Sequence, residues 1–309
     1  MIYRDPAEVP GGQSRSVAVG VFDGIHRGHA KILDQLKLRK DEESLDTSLV
    51  LSFDPHPLAV TRPEQSPSLI CTPEERCLEI GRRGIDEILL LPFSPEWAAL
   101  PFEQFCAEVL SSALGTQSLV IGEDFRMGRD REGGIEELRK EGALRGFSVE
   151  VIPPCLHEGQ VISSTRIRRD LREGRLEEVA AQLGRPWRLS GRVVRGAGKG
   201  RELGFPTANL DAFLPEKLLP PPGVYRVEAR LEDAAFPGLM NLGWAPTLRD
   251  SFVAEVHLLD FHRDLLGEVL ELDIFQRIRD EQRFPDLASL VRQIEEDVRN
   301  LRRFLGRNS

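Results

Sequence analysis

The chain contains 309 residues, which predicts two domains of ordinary size. Charged residues make up 29% of the chain and hydrophobic residues 40%, a composition that excludes a disordered protein. The net charge of −9 argues against a nucleic-acid-binding or membrane-surface protein, because both partners attract basic surfaces. The longest apolar run, residues 88–91, is far shorter than the roughly 20 residues of a membrane-spanning helix.

Two further features of the sequence indicate a cytoplasmic protein. The first residues include charged side chains and no apolar leader, so no secretion signal is expected. The four cysteines are widely spaced and form no CxxC pair; they are Cys71, Cys77, Cys106 and Cys155. Buried, reduced thiols are therefore expected.

The first half of the chain alternates short apolar runs with helical patterns. The predicted strands are Val17–Phe22, Ser48–Phe53, Glu87–Leu91, Ser118–Ile121 and Phe147–Ile152. Helices are predicted after Thr72, where Pro73 and Glu75 complete a capping box, and over Phe102–Ser112, Ile135–Glu141, Thr165–Glu173 and Leu176–Leu183. Because the strands are continuously apolar and are separated by helices, they predict a parallel sheet covered on both faces.

The most informative segment is GVFDGIHRGH, residues 20–29. It places His26 and His29 at the start of a helix that follows the first strand, which is where open α/β sheets bind ligands. The helix N-terminus favours an anion, and Gly28 leaves room for a phosphate to approach. Two imidazoles three residues apart can donate hydrogen bonds to phosphate oxygens, so the segment predicts a phosphate site.

Three other segments of the first half carry weaker signals. In ISSTRIR, residues 162–168, the hydroxyl side chains are typical of N-caps, although hydroxyls with a forked guanidinium also suit a polyphosphate. FDPHP, residues 53–57, follows the second strand, and GEDFRMG, residues 122–128, follows the fourth. Simple turns explain both, while an aromatic ring beside a Pro–His–Pro turn also suits a flat heteroaromatic ligand.

The pattern changes after residues 184–186. Helical periodicity disappears, and the predicted strands are Trp187–Val194, Tyr225–Leu231, Phe236–Leu242, Phe252–Phe261 and Val269–Arg277. Turn residues between them predict a small antiparallel barrel. A final amphipathic helix carries an apolar stripe of Leu287, Leu290, Val291, Ile294, Val298, Leu301 and Phe304. We place the domain boundary near residue 185, giving domains 1–185 and 186–309.

The second half contains a glycine-rich segment, GAGKGRELGFPTAN, residues 196–209. It matches neither a Walker A motif nor GxGxxG, so a flexible loop is the simplest interpretation. Thr207 and Asn209 lie two apart in an extended segment, so their oxygens face one side and suit Mg²⁺ together with phosphates. Glu255 alternates with Val256 and Leu258 in a strand, and it is a general base only if a substrate hydroxyl reaches it.

In order along the chain, these segments resemble the bacterial bifunctional riboflavin kinases/FMN adenylyltransferases, also called FAD synthetases. The remaining matching segments are PPGVY, Pro246-Thr247, EVHLLDF and RFPDLASLVRQIEED. The resemblance implies an α/β plus all-β protein, in which a Rossmann-like nucleotidyltransferase domain precedes a six-stranded riboflavin kinase barrel with a C-terminal helix.

The resemblance implies two ATP-dependent reactions. In the barrel, the riboflavin 5′-hydroxyl attacks the γ-phosphate of Mg·ATP, with Glu255 as the base. In the first domain, the FMN phosphate attacks the α-phosphate of a second ATP and pyrophosphate leaves. His26, His29 and Arg168 then stabilise the phosphate charge, and no covalent enzyme intermediate forms.

The resemblance also implies contact residues for each substrate. At the first site the ATP contacts are Gly20, Phe22, Asp23, Gly24, His26, Gly28, His29, Ser163, Ser164, Thr165 and Arg168. The FMN contacts are Phe53, Pro55, His56, Pro57 and Asp124. At the barrel site the ATP contacts are Gly198, Lys199, Gly200, Thr207 and Asn209, with Thr207 and Asn209 also at the metal. The chain departs from the family pattern at Lys199, Trp244, Ala245 and Leu266, which bears on kinase affinity.

Three alternative functions compete with this interpretation. An adenylyltransferase whose barrel only binds flavin is disfavoured because Thr207, Asn209 and Glu255 are all present. An RNA-binding module is disfavoured by the acidic net charge. A flavin carrier without turnover is disfavoured by the two ATP-site patterns.

Overall fold

The computed structural model describes residues 1–128, 132–196, 198–211, 215–231, 234–245 and 251–307. For Lys199, Arg201, Trp244, Ala245, Ser251 and Arg307 it describes the backbone only. The chain divides into two compact units, Met1–Arg166 and Ile167–Ser309, here called the sheet unit and the barrel unit. None of the helices among the described residues is long and apolar enough to cross a membrane.

The sheet unit is built on six parallel strands. They are β1 (Ile2–Tyr3), β2 (Arg15–Val19), β3 (Thr47–Asp54), β4 (Glu87–Pro92), β5 (Thr116–Gly122) and β6 (Ser148–Ile152). Their order is β1-β4-β3-β2-β5-β6, and every neighbouring pair is parallel. A separate hairpin joins β7 (Leu156–His157) to β8 (Gln160–Val161). The strand order reverses direction between β2 and β5, which is the position where such sheets bind ligands.

Helices cover both faces of this sheet. They are α1 (Arg27–Glu42), α2 (Pro57–Thr61), α3 (Pro73–Arg82), α4 (Pro95–Ala99), α5 (Phe102–Gln104), which continues as a π-helix over Phe105–Ala113, and α6 (Ile135–Arg145). Along β2, Val17 and Val19 join one buried cluster while Ala18 joins another on the opposite face. The predicted parallel sheet with two covered faces is therefore confirmed.

The barrel unit contains a closed six-stranded barrel. After α7 (Ser164–Arg172), which begins in the sheet unit, and α8 (Leu176–Leu183), the strands are β9 (Trp187–Val194), β10 (Ala208–Asp211), β11 (Gly223–Leu231), β12 (Ala234–Ala245), β13 (Ser251–Leu258) and β14 (Val269–Asp280). The barrel closes in the order β10-β13-β12-β11-β14-β9. A one-turn helix, α9 (Lys199–Glu202), and the long α10 (Leu287–Arg307) complete the unit. The predicted barrel with a C-terminal helix is confirmed.

The C-terminal helix buries a narrower stripe than its sequence predicts. Leu301 is buried against Val224 and Leu239 of the barrel, and Val298 packs beside it. Leu287, at the start of the predicted stripe, is 66% exposed. The contacts with this barrel cluster therefore lie in the C-terminal half of the helix, at Val298, Leu301 and Leu305.

A largely buried ion pair also joins this helix to strand β14. Asp297 accepts two hydrogen bonds from the Arg279 guanidinium of β14, at 2.8 and 3.0 Å. Phe304 is 42% exposed, and its ring lies 4.6 Å from the Arg226 guanidinium carbon. Charged side chains thus make part of the contact between the helix and the barrel. The pattern of apolar residues in the sequence does not predict such contacts.

The four cysteines are buried free thiols, as their spacing predicts. Two other expectations need correction. The strand predicted to reach Phe22 ends at Val19, and Phe22 itself has a left-handed φ of 53°. The four-residue strand β10 was not predicted, because Pro206 stands two residues before it and only Ala208 and Leu210 of its four residues are apolar.

Candidate active sites

The first candidate site is the loop between β2 and α1. Three of its residues have a left-handed backbone, with φ of 53° at Phe22, 87° at Gly24 and 44° at Ile25. A β-branched residue such as Ile25 adopts this conformation at a cost, so the loop persists only where its surroundings hold it. Strain of this kind concentrates at ligand-binding segments.

Asp23 is the residue that holds the loop. Its buried carboxylate accepts the backbone N–H of Ile70 at 3.0 and 3.1 Å and that of Cys71 at 3.0 Å. The Cys71 sulfur accepts the N–H of Gly24 at 3.1 Å, and the Ser164 hydroxyl donates to the Asp23 carbonyl at 2.9 Å. These hydrogen bonds show that Asp23 holds the loop in its conformation. Its predicted contact with ATP stays a prediction.

The two histidines predicted to bind phosphate lie face to face. Their ring centroids are 3.6 Å apart with an interplanar angle of 15°, and the edge of Phe22 meets His29 at 5.2 Å. His26 is the N-cap of α1, where its Nδ1 accepts the backbone N–H of His29 at 3.2 Å. Because Nδ1 is an acceptor, a neutral His26 ring carries its proton on Nε2 and offers that N–H as a donor.

The electrostatics of His29 favour its neutral form. Burial lowers its pKa well below the usual value, and the neighbouring His26 and the Arg76 guanidinium lower the pKa further. A neutral imidazole can stack on His26 without charge repulsion and can donate one hydrogen bond to a phosphate oxygen. His29 is therefore a neutral donor beside the positive end of a helix.

The packing of His26 explains why a glycine precedes the second histidine of HxGH. A β-carbon at Gly28 would lie 3.1 Å from both Cε1 and Nδ1 of His26. That separation is too short for an unstrained contact, so a side chain at position 28 would push the His26 ring out of place. Gly28 was predicted to leave room for a phosphate; the structure shows that it also leaves room for His26.

The segments predicted to hold a flavin follow the neighbouring strands. β3 and β5 flank β2 in the sheet, so residues 53–57 and 122–128 begin at the same edge as the histidine loop. The Asp54–Pro55 peptide is cis, and His56 caps α2 by accepting the Leu58 N–H on Nδ1 at 3.1 Å. The turn after β5 is closed by Phe125 N–H donating to the Gly122 carbonyl at 3.2 Å, which leaves Asp124 exposed.

The ISST segment takes up different roles along its length. Ser163 accepts the Arg166 N–H at 3.3 Å as an N-cap, while Ser164 contacts the Asp23 carbonyl and Thr165 is exposed. Arg168 is buried within α7, in the part of that helix assigned to the barrel unit. Its predicted contact with ATP phosphates stays a prediction.

The second candidate site is a row of three side chains on the barrel wall. Asn209 of β10 pairs with Glu255 of β13, and Glu255 pairs with Asn241 of β12. Directly paired residues share one face of a sheet, with β-carbons about 5 Å apart. Ala254 and Val256 beside Glu255 are buried on the opposite face, so the predicted alternation along this strand is confirmed.

The glycine-rich segment lies against this row. The Gly196 backbone is so close to the Asn209 side chain that no β-carbon would fit between them. A β-carbon at Gly200 would lie 2.5 Å from the Phe205 carbonyl oxygen and 3.0 Å from the Thr207 hydroxyl. Asn209 and Thr207 therefore each lie against a glycine of the segment, and their joint contact with Mg²⁺ and phosphates stays a prediction.

Some predicted features of the barrel site fall outside the described residues. These are the side chains of Lys199, Trp244 and Ala245, and residues 246 and 247 of the matching Pro-Thr pair. Leu266, another departure from the family pattern, is exposed. Residues 199–202 form a helical turn where a flexible loop was expected.

Two residues of the sites were missed from the sequence. Asn241 joins Glu255 only through strand register, which no local pattern encodes. Arg76 follows two glutamates near the start of α3, a pattern typical of an exposed surface charge, yet it is buried. The alternation of side chains along β12 was the one sequence signal available for Asn241. No sequence signal was available for Arg76.

Comparisons with known proteins assign each half of the chain to a family. Residues 11–166 match the FAD synthetase family and residues 183–305 match the riboflavin kinase family. The domain boundary near residue 185 stays a prediction, since the first match ends at 166 and the second begins at 183.

Individual relatives cover nearly the whole chain. The bifunctional riboflavin kinase/FMN adenylyltransferase of Pseudomonas fluorescens is 36% identical over 282 residues, covering 91% of this chain and 89% of that protein. The protein of the same name from Escherichia coli K12 is 36% identical over 294 residues, covering 94% and 92%. A solved structure described as a macrolide-efflux protein from Streptococcus pneumoniae superposes with a TM-score of 0.85, at 30% identity and 98% coverage of each chain. The chain therefore belongs to the bifunctional riboflavin kinase/FMN adenylyltransferase family.

Proposed function

We propose that the chain makes FAD from riboflavin in two ATP-dependent steps. The barrel unit phosphorylates riboflavin to FMN, and the sheet unit then transfers AMP from a second ATP to FMN and releases pyrophosphate. The observation that supports this proposal is that each unit contains a cluster of side chains suited to bind phosphate groups. One is the stacked His26/His29 pair at the start of α1, and the other is Glu255 beside Asn209 under a glycine-rich segment.

In the kinase step, Glu255 accepts the proton of the riboflavin 5′-hydroxyl. The hydroxyl oxygen then bonds to the γ-phosphorus of ATP, the bond to the β-phosphate oxygen breaks, and ADP leaves. Thr207 and Asn209 hold the phosphates, and residues 198–200 cover them. The neutral amides of Asn209 and Asn241 flank Glu255, so no like charge opposes its ionised form from these two positions.

The donor set of the barrel site fits Mg²⁺ carried in with ATP. A hydroxyl and an amide oxygen, from Thr207 and Asn209, lie beside a carboxylate, and hard oxygen ligands of this kind suit Mg²⁺ when phosphates supply the rest. When bound, the ion neutralises charge on the transferring phosphates. Thr207 and Asn209 are the residues that would hold it.

In the adenylyl step, a phosphate oxygen of FMN bonds to the α-phosphorus of ATP while the bond to the β-phosphate oxygen breaks. The group moves directly between substrates, so the protein supplies position and charge stabilisation. The Nε2–H of His26 and the ring of His29 stabilise the developing charge. The ATP lies along the loop from Gly20 to Gly28, and the flavin lies against Phe53, the 55–57 turn and Asp124.

We also propose that the chain works in the cytoplasm. All four cysteines are buried free thiols, a state that reducing compartments maintain. ATP, the phosphate donor of both steps, is a cytoplasmic substrate.

A timed assay with riboflavin, ATP and Mg²⁺ tests the proposed function. Separation of the flavins by chromatography is expected to show FMN first and FAD later, because the product of one site is the substrate of the other. Conversion of added FMN without any use of riboflavin would contradict the kinase assignment. Failure to convert either flavin would overturn the enzyme assignment as a whole.

Replacing Gly28 by Ala is expected to lower the rate of FAD formation from FMN by about tenfold. The added methyl would displace the His26 ring by a few tenths of an ångström, and a displacement near 1 Å costs roughly a hundredfold. Steady-state assays starting from FMN measure the effect. Gly81→Ala is the matched control, because Gly81 lies in α3 with open space around its β-carbon position. An unchanged rate in Gly28→Ala would show that the ring position does not matter.

A further inference from the structure

Arg76 links the ends of two neighbouring strands of the sheet unit. It is 3% exposed, and it lies in the second turn of α3. Its Nη1 donates to the carbonyl of Val21 at 2.8 Å, and its Nη2 donates to the carbonyl of Phe53 at 2.7 Å. Val21 belongs to the loop that leads to His26, and Phe53 stands directly before the turn proposed to contact the flavin. One guanidinium thus spans the loops proposed to hold the two substrates.

The helix that carries Arg76 is itself fixed to the same loop. Thr72 and Glu75 form a full capping box, with N–H to oxygen distances of 2.8 and 3.2 Å. The two residues before Thr72 donate their N–H groups to the carboxylate of Asp23. The start of α3 therefore meets the histidine loop at Val21 through Arg76 and at Asp23 through backbone groups.

The chemistry of arginine suits this task. A guanidinium presents planar donors in a fixed fork, so two carbonyl groups bonded to it are held at a fixed separation. A lysine ammonium is a point charge without that geometry. The left-handed residues Phe22, Gly24 and Ile25 follow Val21 directly, and a strained loop of this kind needs outside contacts to keep its shape.

We propose that Arg76 is a positioning residue for adenylyl transfer, which sets the separation between the ATP-binding loop and the flavin-binding turn. This inference rests on the proposed function of the sheet unit. Its effect is on the alignment of the FMN phosphate with the α-phosphate of ATP, because reaction between two bound substrates depends steeply on their relative position. The positive charge of Arg76 also helps to lower the pKa of His29.

The test uses the full chain carrying Arg76→Met or Arg76→Lys, assayed with FMN and ATP. In Arg76→Met, kcat for FAD formation is expected to fall by at least about tenfold, toward the roughly hundredfold cost of a 1 Å displacement. KM values for both substrates are expected to change by less than about threefold, the pattern of an interaction that acts on the transition state. The kcat of Arg76→Lys is expected to lie between that of Arg76→Met and that of the unaltered chain.

The matched control is Arg82→Met on the same helix. Arg82 is half exposed and pairs with Glu79 at 2.9 Å, so its removal is expected to leave kcat unchanged. Circular dichroism during thermal unfolding gives the folded fraction of each variant at the assay temperature. A purely structural role would lower the unfolding temperature and leave kcat per folded molecule unchanged.

Two results would overturn the inference. One is a kcat per folded molecule in Arg76→Met that equals that of the unaltered chain. If Arg76→Met does not fold, the other is an unaltered kcat in Arg76→Lys, which keeps the buried charge but loses the fork. Failure of the unaltered chain to convert FMN would instead overturn the proposed function, so the two failures are distinguishable.

Discussion

Glu255→Ala is expected to lower the rate of riboflavin phosphorylation by roughly 10²- to 10⁴-fold, the usual contribution of a positioned general base. The carboxylate lies between Asn209 and Asn241 on the wall of the barrel. No other carboxylate takes part in that row among the described strand pairings. Conversion of added FMN to FAD in the same variant is expected to continue at the rate of the unaltered chain, because that reaction belongs to the sheet unit.

Two companion variants separate the loss of the base from a loss of folding. Glu255→Gln keeps the size and the hydrogen-bonding capacity of the side chain but removes its basicity, so it is expected to be nearly as inactive as Glu255→Ala. Glu228→Ala on β11 removes another half-buried carboxylate, one that pairs with Pro237 and Asp273 outside the row. It is expected to keep the kinase rate. Phosphorylation of riboflavin at the normal rate by Glu255→Gln would show that the base is a different group.

Much of the fold follows from local signals in the sequence. The capping box at Thr72 sets the start of α3 through contacts within four residues, so the sequence alone was sufficient to place it. The helix Leu176–Leu183 and the strand Trp187–Val194 were predicted with their observed ends. Each is bounded by glycine or proline, residues whose backbone preferences act at the position where they stand.

The errors in the prediction of the fold arise where distant parts of the chain decide the local conformation. Phe22 is a typical strand residue but adopts a left-handed backbone, because Asp23 and Gly24 after it are hydrogen-bonded to Ser164 and Cys71. β10 has few apolar residues and is a strand because β9 and β13 pair with it on both sides. Neither partner is close in the sequence, so no window around the segment contains the cause.

The same distinction between local and distant causes applies to the candidate sites. Motifs that combine a turn with a helix start, such as HxGH, are local, and the sequence was enough to place His26 and His29 at the start of α1. The stacking of the two rings was not predicted. The neighbours of Glu255 depend on strand register instead, so Asn241 could not be predicted. Arg76 acts through two backbone carbonyls, which have no sequence signature at all.

His29→Ala is expected to lower the rate of FAD formation from FMN by roughly 10²- to 10³-fold, the cost of removing one donor to a developing oxyanion. The ring also packs on both His26 and the edge of Phe22, so its removal would let the His26 ring move as well. Riboflavin phosphorylation by the same protein is expected to remain unchanged. Separate assays starting from riboflavin and from FMN measure the two rates.

Two further variants show whether the loss comes from the imidazole donors or from the start of α1. In His26→Asn, the amide oxygen can still cap the helix, as asparagine does at N-caps, while the imidazole Nε2–H is lost. It is expected to fold like the unaltered chain and to lose FAD formation to a similar extent as His29→Ala. His262→Ala, at an exposed histidine of the barrel unit, is the matched control and is expected to keep both rates. If His26→Asn and His29→Ala both kept the normal rate of FAD formation, the stacked pair would have no part in adenylyl transfer, and the charge on the leaving pyrophosphate would be stabilised elsewhere.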